Sequence, residues 1–134
     1  MKIELSGRTA LVTASTAGIG RAIAQGLASA GARVILNGRS TDSVERARRH
    51  LLATVPGADV LGLAADLSDA AGVETLLAGL PKVDILVNNA GIFGPQDFFE
   101  TDDATWERYW QTNVMSGVRL SLSLIHISEP TRPY

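Results

Sequence analysis

A glycine-containing stretch at residues 13–20, T-A-S-T-A-G-I-G, lies directly after a short apolar run and limits the folds open to this chain. The run, residues 8–13, suits a strand buried on both faces, and the residues after the stretch show helical spacing. Strand, tight turn and helix therefore follow one another. Gly18 and Gly20 would let a phosphate approach the N–H groups at the positive end of that helix. Such a turn alone also fits a plain strand-to-helix connection.

Apolar runs and helical segments alternate along the chain. The runs lie at residues 8–13, 34–36, 60–64 and 84–88. Helices of ten residues or more between strands require parallel crossovers, which are right-handed in nearly all proteins. We therefore predict an α/β fold with a doubly wound parallel sheet.

Local signals also predict helix ends and faces. Residues 40–42, S-T-D, each offer an N-cap for a helix through about residue 54. Thr101 is expected to cap a last helical stretch that contains Trp106 and Trp110. Gly31 suits the left-handed position after the first helix. That helix is expected to face the sheet with four side chains at helical spacing: Ile19, Ile23, Leu27 and Ala30.

Size and composition narrow the class of protein. The 134 residues make one domain or less, and 46% hydrophobic residues suit a buried core. A net charge of −2 gives no basic excess for nucleic acid or an anionic membrane, so we expect a small-molecule partner. The chain has no cysteine, its histidines His50 and His126 are isolated, and no apolar run is long enough for a signal peptide or membrane span. We expect no metal site and a cytoplasmic protein.

Small or polar residues follow all four predicted strands. They are the glycine turn, the pairs at 38–39 and 66–67, and N-N-A-G at 88–91. Ligands of doubly wound sheets bind at the carboxyl ends of the strands, so this coincidence predicts a ligand site there. The alternatives are that Asp66 caps a helix or forms a turn, and that the two asparagines close a turn.

The chain resembles the short-chain dehydrogenase/reductase family. T-A-S-T-A-G-I-G is similar to the family's T-G-x-x-x-G-x-G turn, with Ala14 at the first glycine position, where a Cβ fits only if φ is negative. N-N-A-G after D-I-L-V, with T-N-V about twenty positions later, extends the resemblance over about residues 5–121. It implies a Rossmann-type sheet of order 3-2-1-4, truncated after about four strands. Residues 85–87 would then form an open apolar edge, and Trp106 and Trp110 would face water.

The resemblance also implies roles for individual residues. Asp66 and Leu67 would flank the adenine, residues 89–91 would line the ribose and nicotinamide side, and Asn88 would stabilise the sheet. Asn113 matches the family's helix asparagine, which holds a water in the proton relay to the catalytic lysine; the alternative is an ordinary exposed helix residue. The cofactor-binding residues are expected to be Ala14, Ser15, Thr16, Gly18, Ile19, Gly20, Arg39, Asp66, Leu67, Asn89, Ala90 and Gly91.

Arg39 bears on the choice of cofactor. Rossmann domains that prefer NAD usually end the second strand with an acidic residue for the ribose 2′-hydroxyl, whereas a nearby arginine accommodates a 2′-phosphate. Here Gly38 takes the acidic place and Arg39 follows. The sequence therefore favours NADP(H) over NAD(H). The competing interpretation is that Arg39 contacts only solvent or the next helix.

The family's catalytic serine and Y-x-x-x-K pair have no counterpart here. Tyr109 is followed four positions later by Asn113, and Tyr134 is the last residue. The resemblance implies an oxidoreductase that moves hydride between a nicotinamide and a carbonyl or secondary alcohol, commonly as a dimer or tetramer, and we expect the chain as written to be inactive. A non-catalytic dinucleotide sensor on the same fold is the alternative. A flavodoxin-like signalling domain is opposed by N-N-A-G and the glycine turn.

The end of the chain has a different character. Residues 122–132, L-S-L-I-H-I-S-E-P-T-R, read as a translation of a transposon-derived sequencing adapter, and Pro133 fits its next codon. We therefore expect residues 1–121 to be the N-terminal part of an NAD(P)-binding domain and residues 122–134 to be a non-native tail. The alternative is a natural helix end followed by a loop.

Overall fold

Four parallel strands form the sheet in the computed structural model, which describes residues 1–128. The bounds are β1 Thr9–Val12, β2 Arg33–Gly38, β3 Val60–Ala64 and β4 Ile85–Val87. Each strand contains the apolar run expected of a strand buried on both faces. The strands lie in the spatial order β3-β2-β1-β4, which confirms the predicted fold class and strand order.

Helices cover both faces of this sheet. The helices are α1 Gly18–Ser29, α2 Thr41–Thr54, α3 Ala70–Gly79, α4 Asp103–Tyr109 and α5 Ser116–Ser128. The side chains of Ala10 and Val12 point to the face covered by α1 and α2, and that of Leu11 points to the face covered by α3 and α5. This alternation follows from the two-residue period of a strand.

The buried face of α1 differs from the predicted one. Gly20, Ala24 and Ala28 are its buried residues, whereas Ile19 is 75% exposed. Ile23 and Leu27 pack at the edge of the core. Small side chains let the helix axis lie close to the sheet, so the bulky residues sit beside the contact rather than in it. The predicted end of the helix is confirmed, because Gly31 follows with φ of +97°.

The predicted N-cap of α2 is confirmed, whereas the predicted N-cap of α4 is wrong. Ser40 caps α2, accepting a hydrogen bond from the Ser43 N–H at 3.2 Å, as predicted. The prediction for Thr101 is wrong, because its hydroxyl donates to the Asp97 carbonyl. Asp102 caps α4 instead and accepts from the Thr105 N–H at 2.9 Å. A carboxylate next to the first turn also interacts favourably with the helix dipole.

The last helical stretch continues from α4 through a π-helical segment, Trp110–Met115, into α5. The sequence did not predict the π-helical segment. Leu124 is 3% exposed and packs with the core on the face of α3. The origin expected for residues 122–134 stays a prediction, and residues 129–134 lie outside the described residues. Of the helices described, none is long and apolar enough to cross a membrane.

Candidate functional site

The carboxyl ends of the strands open into a groove of about 450 Å³. It lies where strand order reverses, because β2 and β4 both flank β1 while their connections leave on opposite sides. Seven residues predicted for the site line this groove: Ala14, Thr16, Arg39, Asp66, Leu67, Ala90 and Gly91.

The other predicted residues surround the groove without lining it. Ser15 and Gly20 are buried, Asn89 is half-buried, and Gly18 and Ile19 are exposed at the start of α1. The Ser15 hydroxyl donates to the Val12 carbonyl at 2.7 Å and accepts from the Asn37 N–H at 3.0 Å. Ser15 therefore supports the turn from inside.

Asn113 lies in the π-helical segment beside the groove. Its side-chain oxygen accepts from the Ile92 N–H at 2.7 Å, and its amide nitrogen donates to the Ile92 carbonyl at 3.0 Å. Ile92 itself lines the groove. The side chain of Asn113 thus fixes the segment that follows N-N-A-G, while its backbone belongs to the π-helical segment, in which hydrogen bonds join residues five positions apart.

The turn at Ala14 departs from expectation. Its φ is +50°, not negative, so an alanine occupies the left-handed conformation that favours glycine. Its N–H donates to Asn37 Oδ1 at 3.1 Å, and its carbonyl accepts from Asn89 Nδ2 at 3.1 Å. Side chains from the ends of β2 and β4, the two strands that flank β1, therefore hold both backbone polar groups of Ala14.

Thr13 joins the turn to the end of β4. It is 1% exposed, and its hydroxyl oxygen accepts from the N–H groups of Asn89 and Ala90, both at 2.9 Å. These two N–H groups belong to the N-N-A-G stretch, which the fold places beside the turn. The first and fourth strand ends are thus connected through one side chain.

The start of α1 has the features of a phosphate cradle. Its N-cap is Ala17, whose methyl group cannot accept a hydrogen bond from the first turn. Gly18 has φ of +59° and open space where a Cβ would be, and a Cβ on Gly20 would lie 2.5 Å from the Ala14 carbonyl oxygen. Backbone N–H groups at a helix N-terminus suit a phosphate, so the start of α1 could hold a phosphate group beside the groove.

Charged groups at the other wall are also arranged for an anion. Arg39 and Arg108 line the groove with Asp66, which leaves a positive excess among the described lining residues. The Ser68 backbone N–H donates to Asp66 at 3.0 Å and lowers the pKa of this carboxyl, with smaller contributions from the Ser68 hydroxyl and from Arg39. Asp66 is therefore ionised at neutral pH.

Sequence reasoning missed several residues of the site. Asn37, which follows the apolar run at residues 34–36, is 2% exposed and bonds to the turn and to the end of β3. A polar residue closing an apolar run was the available signal. Arg108 and Thr112 reach the groove from the last helical stretch. Their placement depends on how that stretch crosses the sheet, which no local pattern reveals.

Comparison with known proteins agrees with this geometry. A sequence model described as short chain dehydrogenase matches residues 8–128. "Uncharacterized oxidoreductase YvaG" of Bacillus subtilis is 46% identical over 126 residues, which cover 94% of this chain and 48% of that protein. The 3-oxoacyl-[acyl-carrier-protein] reductase FabG of Escherichia coli is 37% identical, over 92% of this chain and 50% of FabG.

A solved structure gives the same picture. L-sorbose reductase from Gluconobacter frateurii, complexed with NADPH and L-sorbose, has a TM-score of 0.88 and 36% identity. The match covers 96% of this chain and 50% of that one, so the chain spans about half the length of the relatives it matches. Because the family match includes nearly all of the described residues, the chain belongs to the short-chain dehydrogenase family.

Proposed function

We propose that this chain is the NADP(H)-binding part of a short-chain dehydrogenase/reductase. The observation that carries the proposal is the single groove into which all four strand ends open, with a phosphate cradle at α1 and Arg39 at the end of β2. Two related structures hold this nucleotide: L-sorbose reductase is complexed with NADPH, and a protein from Beutenbergia cavernae, described as an NAD(P) dependent gluconate 5-dehydrogenase, has NADP bound at low occupancy.

Each part of the groove has a distinct task in this proposal. The first turn of α1, with Gly18 and Gly20, would hold the pyrophosphate through backbone N–H groups. Arg39 would bind the 2′-phosphate, and the Asp66–Leu67 pair would flank the adenine. Ala90 and Gly91 would line the ribose and nicotinamide side. The nicotinamide, when bound, supplies the hydride chemistry.

Asn113 would contribute to proton movement in the complete protein. Its side chain is occupied by Ile92, so its backbone in the π-helical segment is the part available to hold a water. The catalytic serine, tyrosine and lysine of the family are absent from the sequence given. We propose that the complete protein acts on a carbonyl or secondary alcohol as a dimer or tetramer, and that the chain as given has no dehydrogenase activity.

The Arg39→Ala variant tests the cofactor assignment. A charge-assisted contact with the 2′-phosphate is worth about 1.5–3 kcal/mol. The affinity for NADP⁺ should therefore fall roughly tenfold to a hundredfold, while the affinity for NAD⁺ should be unchanged. Arg49→Ala is the matched control, because Arg49 is exposed on α2 and pairs with Glu45. Titration calorimetry with both nucleotides measures the ratio. An unchanged ratio in Arg39→Ala would contradict the assignment.

Inactivity of the chain is tested separately. Purified chain, free of host reductases, is mixed with NADPH and a panel of ketones and aldehydes, and absorbance reports cofactor oxidation. We expect no turnover, because no tyrosine and lysine pair is available to pass the proton. Turnover that follows the chain through purification would overturn this part of the proposal.

A further inference from the structure

Ala14 has an unusual conformation for its residue type. Among residues 1–128 it is the one non-glycine residue with positive φ, at +50°. The left-handed region places the Cβ of an L-residue close to backbone oxygen, so alanine adopts it only where the surroundings hold it. Ala14 is also in the turn that leads into the phosphate cradle. The surroundings of this residue therefore matter for the groove.

Two asparagine side chains hold both ends of Ala14. Asn37, at the end of β2, accepts from the Ala14 N–H at 3.1 Å. Asn89, just after β4, donates to the Ala14 carbonyl oxygen at 3.1 Å. Each amide uses the atom that its partner requires, so both backbone polar groups of Ala14 are bonded to side chains.

The orientation of Asn37 is fixed by β3. Its Nδ2 donates to the carbonyl oxygens of Leu63 at 3.2 Å and Ala65 at 3.3 Å. A flipped amide would place its oxygen against these two oxygens, so Oδ1 must face the Ala14 N–H. Asn37 is 2% exposed, where an unpaired amide is unfavourable. The end of β3 thus keeps Asn37 aimed at the turn.

Asn89 is anchored independently. Its backbone N–H donates to the Thr13 hydroxyl at 2.9 Å, one residue before Ala14. Its side-chain nitrogen also lies 2.5 Å from the place where a Cβ on Gly20 would stand. The second asparagine therefore reaches Ala14 across the space that Gly20 leaves open.

We propose that Asn37 and Asn89 form an amide clamp that holds Ala14 in the left-handed conformation. Glycine would adopt this conformation unaided, whereas alanine needs the clamp. Both asparagines are then positioning residues for the turn. The link to affinity rests on the proposed function, since it assumes that the turn receives a pyrophosphate.

A double-mutant cycle with Ala14→Gly tests the clamp. In the natural background, Asn37→Ala or Asn89→Ala should weaken NADP⁺ binding about tenfold, the scale of one lost hydrogen bond. In the Ala14→Gly background the loss should shrink to about twofold or threefold, because glycine needs less support. Equal losses of affinity in the two backgrounds would overturn the clamp. Direct contact between Asn89 and the cofactor would give such equal losses, so the cycle distinguishes it from the clamp.

A fragment of the ligand separates positioning from general damage. Adenosine 2′-monophosphate has the 2′-phosphate but no pyrophosphate, so its affinity should change less than twofold in the clamp variants. Equal loss for this fragment and for NADP⁺ would contradict a positioning role. Asn88→Ala is the matched control, because Asn88 donates to the Ser121 hydroxyl and not to Ala14. Its effect should be the same in both Ala14 backgrounds.

The same cycle is measured without ligand by urea unfolding, at a concentration where the chain sediments as one species. Coupling between Ala14→Gly and either asparagine variant is expected there too, and additivity overturns the clamp. If Asn37→Ala does not fold, the Asn89→Ala arm decides. Failure of the unsubstituted chain to bind NADP⁺ would reject the proposed function, while the unfolding cycle would still decide the clamp.

Discussion

Two regions of this molecule treat their polar and apolar groups in opposite ways. At the groove, polar side chains are buried and bonded to backbone groups: Thr13, Ser15 and Asn37 are each at most 2% exposed. On the flank formed by β4 and the last helical stretch, apolar side chains are exposed. We call the exposed residues Trp106, Trp110, Val114, Val118 and Leu122, which repeat every four positions, the helical stripe; they are 39–63% exposed.

The difference is that the groove is packed by contacts among the described residues, whereas the flank leaves apolar surface uncovered. The groove is lined mainly by the residues at the ends of β1 to β4, which all lie within the described residues. The flank has an outer strand, β4, and a second groove between Leu86 and Leu124 that is lined by both strand and helix. Exposed apolar surface of this kind is typical of a face that other protein covers. The expected exposure of Trp106 and Trp110 is confirmed.

The largest effect is expected for Thr13→Val at the groove. The change keeps the shape but removes the oxygen that accepts from the N–H groups of Asn89 and Ala90. Two N–H groups left unpaired should lower the free energy of unfolding by about 2–4 kcal/mol. Thr75→Val is the control, because the exposed Thr75 hydroxyl bonds only within its own helix, and should change it by less than about 0.5 kcal/mol. Similar losses of unfolding free energy in the two variants would contradict the conclusion that buried hydrogen bonds set the groove apart from the rest of the chain.

A pair of substitutions on α1 gives the next largest effect. A Cβ on Gly20 would lie 2.5 Å from the Ala14 carbonyl oxygen, so Gly20→Ala should destabilise the fold by about 1–3 kcal/mol and weaken nucleotide binding. A Cβ on Gly26 would meet nothing within 4 Å, and Gly26→Ala should stabilise by about 0.5–1 kcal/mol. Denaturant unfolding measures both. Destabilisation by both changes would mean that helix geometry, not closeness to the turn, decides.

Much of the fold was predictable because its signals are local. The bounds of β3 and α2 follow from an apolar run and a serine cap, and both were predicted closely. The prediction of the buried face of α1 was wrong because it used hydrophobicity alone and chose Ile19, whereas close packing against the sheet favours Gly20 and Ala24. Size at the contact with the sheet is a tertiary property.

The candidate site was predictable at its strand ends and not in its interior. Arg39, Asp66 and Gly91 follow strands and line the groove as expected. The sign of φ at Ala14 was wrong because the compensating bonds come from Asn37 and Asn89, 23 and 75 positions away. No local pattern joins such distant residues, so the sequence indicated that a positive φ at Ala14 is unfavourable but not which hydrogen bonds support it.

On the flank, a single charge should change association without changing stability. Val118 is 41% exposed within the helical stripe. Val118→Lys should therefore reduce self-association of the chain and the binding of a dye that reports exposed apolar surface. The free energy of unfolding should change by less than about 0.5 kcal/mol. Ile3→Lys is the control, since Ile3 is 60% exposed outside the stripe. Sedimentation velocity over a concentration series measures association. An equal reduction by Ile3→Lys would contradict a specific role of the stripe.

The smallest effect concerns two carboxylates, one in each region. Asp66 lines the groove, and Asp102 caps α4 on the flank. The Ser68 backbone N–H is the main cause that lowers the pKa of Asp66, and the Thr105 side chain is the main cause that lowers the pKa of Asp102. A lowered pKa means that the ionised form stabilises the fold at neutral pH. That contribution is lost as the pH falls through the lowered value, below the ordinary 3.8.

An anionic ligand should distinguish the two carboxylates. A phosphate bound near Arg39 places negative charge beside Asp66 and competes for the arginine, so the pKa of Asp66 should rise toward its ordinary value. Asp102 does not line the groove, and its pKa should change less. Carboxyl chemical shifts, followed by NMR from pH 6 to pH 2.5 with and without adenosine 2′-monophosphate, measure both, and Asp66→Asn identifies the signal. If the two carboxylates shift equally, ligand charge is felt across the whole molecule and the electrostatic separation of groove and flank is wrong.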